Sequence, residues 1–134
     1  MSEQSARDPF YLNFEDVLEL YAAIIDGSTE QAAAQLRNRP GLEAALARPA
    51  HYAHYQRADL ALQAAVLAHG IAEGQTFVDG NKRIALIAML TFLEINGWPV
   101  RAPDPMLADW ILSLSAGTTP VELAQRIRAA LTTA

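Results

Sequence analysis

The chain has 134 residues, with 10 Lys and Arg against 15 Asp and Glu, 51% apolar residues, 19% charged residues and no cysteine. That is one domain with enough apolar material for a core, and a net charge of −5 argues against gripping nucleic acid, which takes a surplus of cations facing phosphate. The lack of cysteine excludes a disulfide scaffold, a thiolate zinc site and a cysteine nucleophile.

Residues 1–9 read as a tail in which Glu3, Arg7 and Asp8 leave no apolar stretch for a signal peptide. No apolar run approaches the roughly 18 residues of a membrane span, so a cytoplasmic protein with no membrane partner is expected. Residues 10–134 read as a single all-α domain of about six helices. Asn13 and Asp16, flanked by Leu12 and Val17, predict an N-cap with a hydrophobic staple ahead of the stripe Val17, Leu20, Tyr21 and Ile24, ending at Gly27. A shorter helix around Ala32, Ala33 and Leu36 is broken by Pro40-Gly41, and a third piece with Leu42, Ala45 and Leu46 closes at Pro49. Residues 50–58, with His51, Tyr52, His54 and Tyr55, follow neither a 3.6 nor a 2.0 period and read as an exposed flap or loop.

From Asp59 the spacing of Leu60, Ala64, Leu67 and Ile71 predicts a helix that stops at Gly74. Gly80 to Asn96 is apolar nearly all round, which predicts a central helix buried on several faces. Asp104-Pro105 opens a helix with Leu107, Trp110, Ile111 and Leu114 on its stripe, and Thr119-Pro120-Val121-Glu122 is a capping box that starts the last one.

The segment that carries chemistry is Gln75-Thr76-Phe77-Val78-Asp79-Gly80-Asn81-Lys82-Arg83, which feeds straight into the central helix. The first turn of a helix has unpaired N–H groups and the positive end of the helix dipole, so Gly80, Asn81 and Lys82 offer donors to phosphate oxygens. Arg83 adds a cationic fork, and Lys82 is the chain's one lysine. Asp79, at the mouth of the turn, either caps the helix or holds a hard cation that bridges phosphates. Phe77, an aromatic in a polar loop, is expected to pin the loop to the core.

These residues resemble the Fic/Doc family signature, His-x-Phe-x-(Asp/Glu)-(Gly/Ala)-Asn-(Gly/Lys)-Arg, with Phe77, Asp79, Gly80, Asn81, Lys82 and Arg83 matching in register. Lys82 is the variant typical of the Doc branch, and the segments Arg39 to Pro49 and Leu93 to Gly97 resemble that branch as well, so the likeness covers roughly residues 10 to 130. The resemblance implies a helical Fic/Doc fold and a toxin of a toxin–antitoxin pair. Such a toxin uses ATP or another nucleoside triphosphate, with Mg2+ held at Asp79, to modify a hydroxyl of a target protein. In the Doc branch that is phosphorylation of elongation factor Tu; elsewhere in the family it is usually nucleotide transfer. Asp79, Asn81 and Arg83 would act in catalysis, and Gly80, Asn81, Lys82 and Arg83 would hold the nucleotide.

The chain departs from the signature at its first position, where Gln75 replaces the histidine understood to take the hydroxyl proton. A neutral amide has no protonated and unprotonated pair near neutral pH, so the general base should be missing. His69 reads as structural, while His51 and His54 in the flap face a partner or solvent. Many Fic proteins also carry an inhibitory Ser/Thr-x-x-x-Glu-(Gly/Asn) helix. Thr118 to Glu122 has that spacing, but Leu123 follows and the capping box already accounts for Glu122, so a separate small antitoxin is the expected regulator.

Overall fold

The computed structural model describes residues 8–131, so residues 1–7 of the expected tail and residues 132–134 lie outside it. Within it the chain forms seven helices against the about six expected: α1 (Phe14–Ile24), α2 (Thr29–Ala34), α3 (Arg39–Gln56), α4 (Leu60–Glu73), α5 (Asn81–Ile95), α6 (Asp104–Ser115) and α7 (Pro120–Ala130). The extended pairings among the described residues are isolated antiparallel bridges, Leu36 with Phe77 and Val100 with Leu131. None of these helices is long and apolar enough to cross a membrane.

The caps foreseen in the sequence form as written. Asn13 and Asp16 close a reciprocal box at the start of α1, and Thr119 and Glu122 do the same for α7. Hydrogen bonds from Thr119 hold the Glu122 carboxyl below its ordinary range, so this side chain is engaged in its own helix start.

α4 is the most enclosed element and packs against α3, α5, α6 and α7. Its buried side chains are mostly alanine, with Leu67 and Ile71, and small residues let neighbouring helices come close. The tightest approach is at Gly70, where an added Cβ would lie 2.8 Å from the Ala45 Cβ of α3. α5 lies in the core beside it, as its composition predicts. It buries Ile84, Ala85, Ala88, Met89, Phe92 and Leu93 fully and packs Leu86 and Leu90 partly against the core, in contact with α1, α4 and α6, so it is covered on more than one face, and Ile95 at its end is 44% exposed. A run of apolar residues longer than the buried stripe leaves some of them partly wet.

The segment 50–58 is not a flap. Residues 39–56 form one continuous helix with Pro49 buried inside it, and Asn38 caps it with Pro40 in its first turn, where a missing N–H costs nothing. The helix ends only at Arg57, whose left-handed backbone (φ 52) closes the last turn. Its C-terminal turns are largely solvated, with Tyr55 77% exposed and in edge contact with His51 and His54, so no apolar stripe marks them. Hydrophobic period reports burial, and an exposed helical turn leaves no such trace.

α7 is tied to the α3–α4 corner by Arg128, which donates to both carboxylate oxygens of Asp59 at 2.6 and 3.2 Å. Asp59 also caps α4 by accepting from the Leu62 N–H. The Arg128 hydrogen bond is the main cause of an Asp59 carboxyl held below its ordinary value of 3.8. Asp59→Ala should therefore lose both the cap, about 1 kcal/mol, and the exposed ion pair, at most about 1 kcal/mol, whereas Asp59→Asn keeps the cap and loses only the pair. Because the folded-state value is lowered, the contribution of the pair is complete above the ordinary value and is lost as pH falls through the lowered one. Urea unfolding of the two chains at neutral pH and below pH 3 checks this: the Asp59→Asn deficit should shrink toward zero in acid.

Candidate functional site

The loop between α4 and α5 is built by three side chains that the fold consumes. The Phe77 ring is fully buried and stacks on Tyr21 of α1, with centroids 3.9 Å apart and planes 4° from parallel, so the expected pin is in place. The Tyr21 hydroxyl then donates to the Asp79 carbonyl at 2.9 Å. Burial first, and the nearby Asp79 charge second, raise the Tyr21 pKa and keep that proton on. The Asn81 amide oxygen accepts from the Thr76 hydroxyl and the Phe77 N–H, both at 2.8 Å, and its nitrogen donates to the Phe77 carbonyl at 2.9 Å. Thr76 is itself fully buried. Asn81 thus closes the loop with its amide oxygen and one amide N–H, while its backbone N–H stays without an acceptor among the described residues.

Gly80 is the N-cap of α5 and has a left-handed backbone (φ 77), a conformation that costs an L side chain about 1–2 kcal/mol. Asp79 is not the cap. Its Oδ1 accepts from the Gly80 N–H at 2.8 Å, and its other oxygen has no partner among the described residues. The N–H groups of Asn81, Lys82 and Arg83 likewise have no acceptor among those residues, which leaves the positive end of α5 open. The Lys82 and Arg83 side chains are exposed and make no ion pair among the described residues.

These groups share one cleft of about 700 Å³, lined by Gln75, Asp79, Gly80, Asn81, Lys82 and Arg83, so the structure brings every expected site residue together. Gln75 is exposed with a left-handed backbone (φ 49), and its amide has no hydrogen-bond partner among the described residues. The cleft also takes in Arg37, Glu73 and Ser115, which the sequence did not single out. The Ser115 hydroxyl donates to Glu73 at 3.2 Å and joins the ends of α6 and α4 at the rim. Glu73 carried a positional signal, two residues before Gln75; Arg37 and Ser115 carried none, since both arrive from distant elements. His69 is not in the cleft. Its Nδ1 is buried without a partner among the described residues, and burial, then Arg48, lowers its pKa.

A profile described as the Fic/DOC family matches residues 11–93. The chain belongs to the Fic/DOC family. A Mycolicibacterium smegmatis protein named Toxin Doc is 38% identical over 89 residues, a match that spans 65% of each of the two chains. The family match ends inside α5, so it contains the whole loop, Tyr21 and Arg37.

A single carboxylate with a free oxygen is a fit for magnesium, which binds through one or two carboxylates plus substrate phosphates and water. No group of three or more His, Asp and Glu suited to a dedicated metal cage occurs among the described residues.

The division between loop-building and open groups has a measurable consequence. Asn81→Ala strands the buried Phe77 N–H and Thr76 hydroxyl and should cost about 1–3 kcal/mol of stability. Phe77→Ala, which empties a core site, should cost about 3–5 kcal/mol. Arg83→Ala touches nothing in the fold and should stay within about 0.5 kcal/mol of the unaltered chain. Chemical denaturation of the three variants tests the ranking.

Proposed function

We propose that the chain is a Doc-like toxin of a toxin–antitoxin pair, a transferase that uses a nucleoside triphosphate to modify a hydroxyl of a target protein. What carries the reading is the convergence of the open α5 N–H groups, Lys82, Arg83 and Asp79 on one cleft, in a chain of the Fic/DOC family. A helix start with a cationic rim is a site for phosphates, and the relative named Toxin Doc supplies the toxin part.

In the reaction a hydroxyl oxygen of the target attacks a phosphorus of the nucleotide. The new P–O bond forms as the P–O bond to the leaving group breaks, and the hydroxyl proton must depart. Attack at the γ-phosphorus yields a phosphoprotein and a nucleoside diphosphate; attack at the α-phosphorus yields a nucleotidylated protein and pyrophosphate. Lys82, where nucleotidyl-transferring members commonly have glycine, favours the first, with elongation factor Tu as the target by resemblance and AMP transfer as the next choice. The α5 N–H groups and Arg83 hold and orient the phosphates and stabilise the charge that develops on them. Magnesium, when bound at Asp79, neutralises phosphate charge and helps the leaving group depart.

Gln75 cannot accept the proton. Its amide does not titrate near neutral pH, so a factor of about 10²- to 10⁴-fold in rate is lost and turnover by this chain is impaired. The same residue favours a second reading, a module that binds nucleotide or antitoxin without turnover. Glu122 is engaged in its capping box, so regulation falls to an outside antitoxin, with an amphipathic segment laid in a groove as the fitting mode.

The decisive experiment is Gln75→His. The left-handed backbone at this position is one that histidine adopts more readily than most residues, so the exchange should leave the loop intact. The present chain should express without harm, Gln75→His should arrest growth, and adding Asp79→Ala should abolish the arrest. Mass spectrometry of the target then distinguishes an added phosphate from an added nucleotide. A Gln75→His chain that folds, binds magnesium–ATP and modifies nothing in a lysate leaves the binding module as the function.

A further inference from the structure

Part of the cleft wall comes from the connection between α2 and α3, a stretch whose sequence gives no hint of chemistry. This stretch is bonded to the loop on both sides of the Leu36–Phe77 bridge. The Val78 N–H donates to the Gln35 carbonyl and the Arg37 N–H to the Thr76 carbonyl, each at 2.8 Å. Leu36 packs on the core, while its neighbour Arg37 is exposed and lines the cleft that holds Lys82, Arg83 and the open α5 N–H groups. A surface arginine on an independent loop is ordinarily just solvated. Arg37 differs because its backbone N–H is hydrogen-bonded to the Thr76 carbonyl, next to Gln75, which ties its Cα to the site loop. Its guanidinium has no carboxylate partner among the described residues, where the ion pairs are Arg39 with Glu43 and Arg128 with Asp59. With Arg37 the cleft carries three cations against the two carboxylates Glu73 and Asp79, a positive site on a chain of net charge −5.

We infer that Arg37 is a further polyphosphate-binding residue, holding the phosphates of a nucleoside triphosphate from the α2–α3 side while the first turn of α5 holds them from the helix end. This rests on the nucleotide reading of the cleft given above. A planar guanidinium suits the role, since it meets two phosphate oxygens with two parallel N–H donors and does not lose its charge.

Calorimetric titration of the purified chain with magnesium–ATP, and separately with magnesium–tripolyphosphate, tests the assignment. Arg37→Ala should weaken both ligands about tenfold or more. Arg37→Lys should recover part of the loss, and Arg101→Ala, which removes an exposed arginine outside the cleft, should lose nothing. Thermal unfolding of Arg37→Ala should match the unaltered chain, because only the backbone of Arg37 holds the loop; if its midpoint is lowered, Arg37→Lys carries the comparison. Equal binding by the unaltered chain and Arg37→Ala overturns the assignment. Loss for ATP without loss for tripolyphosphate overturns it too, since Arg37 then touches the base. An unaltered chain that binds neither ligand overturns the nucleotide reading itself, and the inference with it.

Discussion

The Phe77 ring, shut away from solvent against Tyr21, is the contact from which the rest of the site is hung. Burying an aromatic this size contributes about 1.5–3 kcal/mol, enough to offset the about 1–2 kcal/mol cost of ordering one loop residue, and ring stacking adds about 0.5–1.5 kcal/mol. Once the ring is seated, the neighbouring backbone has little freedom. Tyr21 takes the Asp79 carbonyl, Asn81 takes both ends of the Phe77 peptide, and Val78 and Thr76 bond to the α2–α3 connection. The open end of α5 is thereby aimed at a cleft instead of at the core.

That arrangement separates two kinds of polar residue within one short segment. Thr76 and Asn81 are spent on the loop itself, buried or half-buried with their hydrogen bonds made internally. Gln75, Lys82 and Arg83 stay exposed, and Asp79 keeps one oxygen uncommitted. A site that recruits backbone N–H groups, whose number and direction are dictated by the helix, needs few side chains and little reorganisation on binding. On a chain of net charge −5, the helix end and the local cations Arg37, Lys82 and Arg83 still set the field near the cleft.

The site loop joins two helices that differ in what they are for. α4 is surrounded, and its alanine-rich surface with Gly70 lets α3 approach closely, so the C-terminal end that leads to Gln75 is set by packing on several sides. α5 runs into the core between α1, α4 and α6 but presents the Lys82 and Arg83 side chains of its first turn to solvent. Glu73 and Ser115, at the ends of α4 and α6, join across the rim and give the cleft a wall that is distant in sequence from the loop.

Much of this is legible in the sequence. The caps at Asn13 and Thr119, the anchoring role of Phe77, the helix after Gly80 and the gathering of Asp79, Lys82 and Arg83 at its start follow from local chemistry, because a cap, a buried aromatic and a helix end act over a few residues. Three things needed the tertiary structure. The continuous helix through Pro49 to Gln56 was hidden because its exposed turns bury no stripe, and its proline is accommodated by packing that the sequence does not display. Asn81, expected at the site, is also the clasp of the loop, since its partners, the Thr76 hydroxyl and the Phe77 peptide, are brought to it only when the chain turns back at Gly80. Arg37 carried no signal at all, because its place beside the site depends on a bridge between segments far apart in the chain. Local spacing determines which groups a segment can offer; the long-range pairing that folding creates decides which of them are used up, which remain open and which distant residue joins them.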